Sequence, residues 1–301
     1  MQNFEDAGWL ISTILVDLGI AILAIFALRQ IFGLVSGVNT RDELAKKDNF
    51  AFGITFAGGA WAMAMVVAAA VTGQPDASLL AEIMNVTVYA LTGIVLFKLG
   101  AWINDRFLFN QFSMKQQISD QNMSIGVVQA ANYLALGLII SAAINWVETE
   151  QWQGISYVIV VFIAMQLVLL LVTRIRGLIY SQRHVGEQLQ IALRDGNVAL
   201  SIRYAGHLIA VAIGVSGVAT LVEYRQFSIL MPAFEWLFYA VIITLVISLL
   251  AALARRVVLS GIDIVAEVDE QHNIGVAAIE AAIYLVIALV LQPLLVLVDQ
   301  I

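Results

Sequence analysis

Residues 49–58 read Asn-Phe-Ala-Phe-Gly-Ile-Thr-Phe-Ala-Gly, and residues 197–206 read Asn-Val-Ala-Leu-Ser-Ile-Arg-Tyr-Ala-Gly, a gapless match at an offset of 148. A second match keeps the same order. Asn122 with Gln129-Ala130-Ala131-Asn132-Tyr133-Leu134 pairs with Asn273 and Glu280-Ala281-Ala282-Ile283-Tyr284-Leu285, at an offset of 151. The chain thus contains one unit twice, and every residue gains meaning from its counterpart. Both stretches are apolar and rich in small residues, the texture of helices that pack within a bilayer.

Composition agrees with that texture. Of 301 residues 61% are hydrophobic and 12% charged, where a soluble domain has about 45–50% and about 25%. Twenty-two acids against fifteen Lys and Arg leave a net charge of −7, and the bases are scattered, so nucleic-acid binding is excluded as a reading. Without cysteine there is no disulfide, thiolate nucleophile or cysteine-ligated metal.

A bilayer core about 30 Å thick needs about 20 apolar residues per helix. Eight such runs occur: Leu10 to Val35, Asn49 to Thr72, Leu80 to Ile103, Met123 to Asn145, Ile155 to Thr173, Asn197 to Val222, Ala233 to Leu253 and Ile274 to Leu297. The first is preceded by Glu5 and Asp6 where a signal peptide would carry bases, and reads as a retained helix. Arg41, Lys46, Lys47, Arg106, Lys115, Arg174, Arg176, Arg183, Arg194, Arg255 and Arg256 fall in or beside the loops after spans one, three, five and seven, against Arg225 alone on the other face. Bases stay in the cytoplasm, so both termini are expected in the periplasm. The expected fold is all-α: a polytopic membrane protein of eight transmembrane helices, made of two parallel four-helix repeats, 1–147 and 148–301. An even number of spans per unit makes the copies enter the membrane in the same direction.

The pattern Asp-Asn-x-Ala at Asp48 to Ala51, and Asn-x6-Gln/Glu-Ala-Ala-x-Tyr-Leu in both halves, resembles the YjfL-like bacterial membrane family, domain of unknown function 350 (DUF350), in two tandem copies. The resemblance covers nearly the whole chain and implies an inner-membrane protein of the cell envelope. The first copy departs from the family pattern, with Gln129 where the second has the more usual Glu280.

Asn49, Asn122, Asn197 and Asn273 open the even-numbered spans, where the first backbone N–H groups lack intrahelical acceptors. They are expected to be helix N-caps. Small residues at four-residue spacing, such as Gly126/Ala130 and Gly206/Ala210/Gly214, place the even helices in the packed interior. Ionisable groups inside a span are costly and mark partners or sites. Arg203 and Glu280 lie at matching depth, about 9–10 Å beyond their helix starts, and their counterparts Thr55 and Gln129 are both uncharged, a joint change that suggests contact. His207 lies one turn beyond Arg203 on the same face. Asp17 lies about two turns below the periplasmic surface. Lys98 is expected to reach the interface by its stem, and Glu235 to favour a helix N-terminus.

The loops after spans three, five and seven keep apolar residues at loosely helical spacing, and read as extensions of the spans or as headgroup-plane helices. Asp263, Glu267, Asp269 and Glu270 form a run expected to be solvated, while His184 and His272 look isolated. No phosphate loop, nucleophile elbow or His-Glu-x-x-His motif appears, so no enzyme activity, metal or cofactor is expected. The bilayer is the one certain partner; a homo-oligomer and other membrane proteins are both open. Two functions compete: a structural or scaffold component acting through partners, with a dry interior, and an ion- or proton-coupled transporter or channel with a cavity reaching Glu280, Arg203 and His207.

Overall fold

The computed structural model describes residues 39–72, 79–147, 154–184, 186–225 and 228–298, with scattered positions between 8 and 27. Asp17 and most of the first expected span lie outside the described residues. Helices are the regular structure of the described residues, which contain no strand: α1 Thr40–Ala45, α2 Phe50–Val71, α3 Leu79–Phe107, α4 Met114–Ser119, α5 Met123–Trp146, α6 Gly154–Arg183, α7 Leu189–Arg194, α8 Val198–Gly217, α9 Leu230–Val258 and α10 Ile274–Val298. A π-helical turn, Ala266–Glu270, precedes α10. Seven of these helices are long and apolar enough to cross a membrane. Three of them outrun the apolar stretches that announce them: α3 continues to Phe107, α6 to Arg183 and α9 to Val258. Part of each loop is therefore a continued helix, because its apolar residues keep helical spacing past the last fully apolar turn. The remainder forms the short helices α4 and α7 and the π turn.

Packing is a row. α2 lies against α5, α5 against α8 and α8 against α10, the three closest pairings, with α3, α6 and α9 alongside. Small residues make the row possible. A Cβ added at Gly58 would stand 2.8 Å from Ala130 Cα, and one at Gly206 would stand 2.5 Å from Ala281 Cα. Gly58 aligns with Gly206 and Ala130 with Ala281, so one glycine-on-alanine contact is built once in each half. Backbones that approach so closely leave no room for a larger residue on either side.

The inner helices of the row are the most enclosed, with 67% of the most apolar window of both α5 and α8 buried. In α9 only 28% is buried, and it presents Leu230, Phe234, Phe238, Leu245 and Leu249 outward. Exposed aliphatic and aromatic surface on that scale fits hydrocarbon as its solvent.

Candidate functional site

All four row helices begin in one way. The residue before each asparagine has positive φ, namely Asp48 (47°), Gln121 (64°), Gly196 (96°) and His272 (57°), which turns the chain sharply into the helix. The asparagine side-chain oxygen then accepts from the N–H three residues on. Phe52 donates to Asn49 at 2.9 Å, Ile125 to Asn122 at 3.3 Å, Leu200 to Asn197 at 2.9 Å and Val276 to Asn273 at 3.1 Å. The amide nitrogens tie the loops together. Asn49 donates to the Ile118 carbonyl, Asn122 to the Arg194 carbonyl, and Asn197 to the carbonyls of Val268 and Asp269. Each of these three caps thus holds the loop that leads into the next helix of the row, and the four helix starts share one end of the molecule.

The charged residues cluster just inside that end, in the second half. Arg203, on α8, donates from Nε to Glu280 Oε2 on α10 at 2.7 Å. Its Nη1 donates to Asp269 Oδ1 in the π turn at 2.6 Å, and its Nη2 to the Ile264 carbonyl at 3.1 Å. Arg255, near the end of α9, donates to Glu280 Oε1 at 2.5 Å. Glu280 is 1% exposed, so each of its oxygens faces a guanidinium with little water to compete. His184 completes the cluster, its Nε2 3.6 Å from Asp269 Oδ2 and its ring stacked on Tyr180. The network joins three long helices and a loop turn through charge-assisted hydrogen bonds.

The run at 263–270 is only partly solvated, which departs from expectation. Asp269 is buried against Arg203, Asp263 accepts from the N–H groups of Val265 and Ala266, and Glu267 accepts from the Asn273 amide at 2.7 Å. The five-residue turn swings Asp269 inward, a placement that α-helical spacing does not show. His184 likewise is not isolated, because α6 runs ten residues beyond the expected end of its span and sets His184, the next residue, against Asp269.

The other candidates separate. His207 is buried and meets Tyr284 edge-on, with ring centroids 4.7 Å apart, and Arg176 stands over the same Tyr284 ring at 5.0 Å. Thr55 and Gln129 do not repeat the Arg203–Glu280 contact. The Thr55 hydroxyl donates to its own helix at the Ala51 carbonyl, 2.8 Å, and approaches the Gly126 carbonyl on α5 at 3.3 Å. Gln129 turns instead toward Asp105 and Tyr133. Lys98 is exposed, and Glu235 accepts from Arg225 at 2.9 Å.

A cavity of about 350 Å³ opens beside the cluster between α6, α8 and α9, reaching Arg203, His207 and Glu280 as well as Arg176 and Arg255. A wider one, about 980 Å³, lies at the opposite end of α8 and includes Trp146, Ser216, Glu235 and Gln292. Sequence reading missed Arg255, Asp269, Arg176 and His184 as members of the site. In sequence the two arginines read as topology signals, and the acid and the histidine lie in loops whose course shows only in three dimensions. Among the described residues no group of three or more His, Asp or Glu could hold a metal ion.

The profile of the family described as Domain of Unknown Function (DUF350) matches this chain twice, over residues 6–144 and 147–295. The chain matches no curated protein and no solved structure.

Proposed function

The chain belongs to the DUF350 family and holds its domain twice, and from that premise we propose an integral inner-membrane protein that serves as a structural or scaffold component of the cell envelope, through partners or self-association. In this reading eight spans form two parallel four-helix repeats, 1–147 and 148–301, related by an axis along the membrane normal. The asparagine-capped end is cytoplasmic and both termini are periplasmic. Eleven bases in or beside the loops of that end support the orientation. The recurring Gly58–Ala130 and Gly206–Ala281 contacts support the parallel repeat.

One observation carries the scaffold reading: the Arg203–Glu280 pair is internally satisfied. Glu280 takes one guanidinium on each oxygen, and Arg203 spends all three nitrogens on Glu280, Asp269 and a backbone carbonyl. Groups so engaged hold α8, α9 and α10 in register and leave no side chain of the Arg203–Glu280 pair free for a moving substrate.

A second reading, an ion- or proton-coupled transporter or channel, is favoured by the cavity that reaches Arg203, His207 and Glu280. Purified protein in liposomes separates the two. The scaffold reading expects no proton or ion flux above empty vesicles, and a lowered melting temperature in Glu280→Gln. Flux that depends on pH, and that His207→Phe or Glu280→Gln abolishes in protein that still folds, would establish the second reading instead.

A further inference from the structure

The internal pairing leaves charge over. Four guanidinium groups, those of Arg176, Arg183, Arg203 and Arg255, line the smaller cavity with two carboxylates, Asp269 and Glu280. Arg203 and Arg255 take up both acids. Arg176 sits over Tyr284, and among the described residues neither it nor Arg183 forms an ion pair with a carboxylate. The Nε of Arg255 is buried and has no hydrogen-bond partner among the described residues. A surplus of two positive charges thus faces one cavity, and for the half-buried Arg176 an uncompensated charge is costly. Arg176 is half-buried and lies seven residues before the end of α6, about 10 Å along the helix axis.

We propose that this cavity binds a phosphate group, with Arg176 and Arg183 as its principal ligands and Arg255 as a third donor. Guanidinium forks match the paired oxygens of a phosphate, and such pairs are the strong, directional kind of hydrogen bond. The volume of about 350 Å³ lies at the lower end of the usual range for ligand pockets. A phosphate can arrive on a lipid headgroup or on a soluble ester. The rim favours the lipid, since Ile175, Ile179 and Leu245 line the cavity and are 45%, 42% and 64% exposed. Aliphatic surface beside a cationic floor suits an anionic lipid of the leaflet next to the basic loops. In the first half Thr55 and Gln129 stand where the second has Arg203 and Glu280, so the paired floor of the cavity is built once and one site per chain is expected. The inference rests on the membrane reading and is independent of the choice between scaffold and transporter.

The test uses the full chain in neutral detergent, titrated with phosphatidylglycerol, cardiolipin or phosphatidylcholine and followed by native mass spectrometry. A second arm titrates inorganic phosphate and glycerol 1-phosphate into protein held in phosphatidylcholine nanodiscs, by calorimetry. Anionic lipid should be retained about tenfold better than phosphatidylcholine, and Arg176→Gln combined with Arg183→Gln should remove that preference. The exposed residue Arg183 gives a single variant, Arg183→Gln, that folds whatever becomes of Arg176, and it should lose part of the preference. Lys98→Gln, an equal loss of charge in the first half, should bind as the wild type does. Binding in the lipid arm alone supports the site and assigns it to a headgroup; binding in the calorimetric arm as well supports it and admits a soluble ester. Equal retention of neutral and anionic lipid together with no heat from phosphate overturns the proposal, as does wild-type binding by both arginine variants.

Discussion

Glu43 shows how one side chain in this protein is set by its neighbours. It is 2% exposed, in the short helix before α2, and takes a hydrogen bond from Lys47 at 2.7 Å and another from the cap residue Asn49 at 2.9 Å. Burial pushes its carboxyl up, but the bonds from Lys47 and Asn49 and the Lys47 charge outweigh it and hold the group below its ordinary value of 4.5. A carboxyl lowered on folding contributes stability that is present above the unfolded value and is lost as pH falls through the folded one. Thermal melts should therefore fall off on acidification below pH 4.5, and Glu43→Gln should lower the melting temperature at neutral pH while flattening that acid limb; an unchanged limb would sink this account. The Arg203–Glu280 pair works at the same scale with more at stake. Removing one member of a buried ion pair costs about 3–5 kcal/mol. Glu280→Gln should accordingly destabilise the protein strongly, while Gln129→Ala, at the aligned position, should cost about 1–3 kcal/mol, as for one buried hydrogen-bonding group. Equal losses in chemical denaturation would mean that the charge contributes nothing beyond the shape of the side chain.

Among the elements, what could be read from sequence was whatever repeats or is long. The seven described spans show themselves as apolar runs, the row helices as small-residue helices behind an asparagine, and the contact partners Arg203 and Glu280 as residues at equal depth with a shared change in the other copy. Pieces without a period stayed hidden. The π turn has only five residues, and a segment that short carries no hydrophobic periodicity by which to place Asp269. The extension of α6 to Arg183 was masked because Arg174, Arg176 and Arg183 look like the end of a span, although a helix can run on past the hydrocarbon. Close packing of the row gives a test at this scale. Gly206→Ala puts a methyl group 2.5 Å from the Ala281 backbone, and forcing the helices apart should cost about 1–3 kcal/mol. At Gly53 the nearest atom to an added Cβ is a Leu44 methyl at 3.5 Å, an ordinary contact, so Gly53→Ala should leave the melting temperature unchanged or raise it slightly, since alanine is the better helix former. Reversal of that order would remove the argument that glycine sets the spacing of the row.

For the whole molecule, parity of spans links the basic loops to the termini. Helices α2, α5, α8 and α10 start at one end, joined there by the side-chain amides of Asn49, Asn122 and Asn197. Bases gather at that end, with Arg174 on α6 donating to the carbonyl of Phe107, the last residue of α3. If that end is cytoplasmic, α10 must finish in the periplasm whatever the first span does. A reporter fused after the last residue should then be active as alkaline phosphatase and dark as a fluorescent protein that matures only in the cytosol. The N-terminus responds to a different question. Seven crossings would leave it in the cytoplasm, and eight would bring it to the same side as the C-terminus. A cysteine placed at Asn3, in a chain that has none of its own, should react with a membrane-impermeant maleimide added to intact spheroplasts, as should one placed at Gln300. Labelling at Gln300 alone would keep the orientation and remove the eighth span, and with it the equal division into two parallel quartets. Labelling at neither site, with both exposed on lysis, would invert the molecule and put the Arg176–Arg183 cavity against the outer leaflet, where the basic loops would no longer account for the topology.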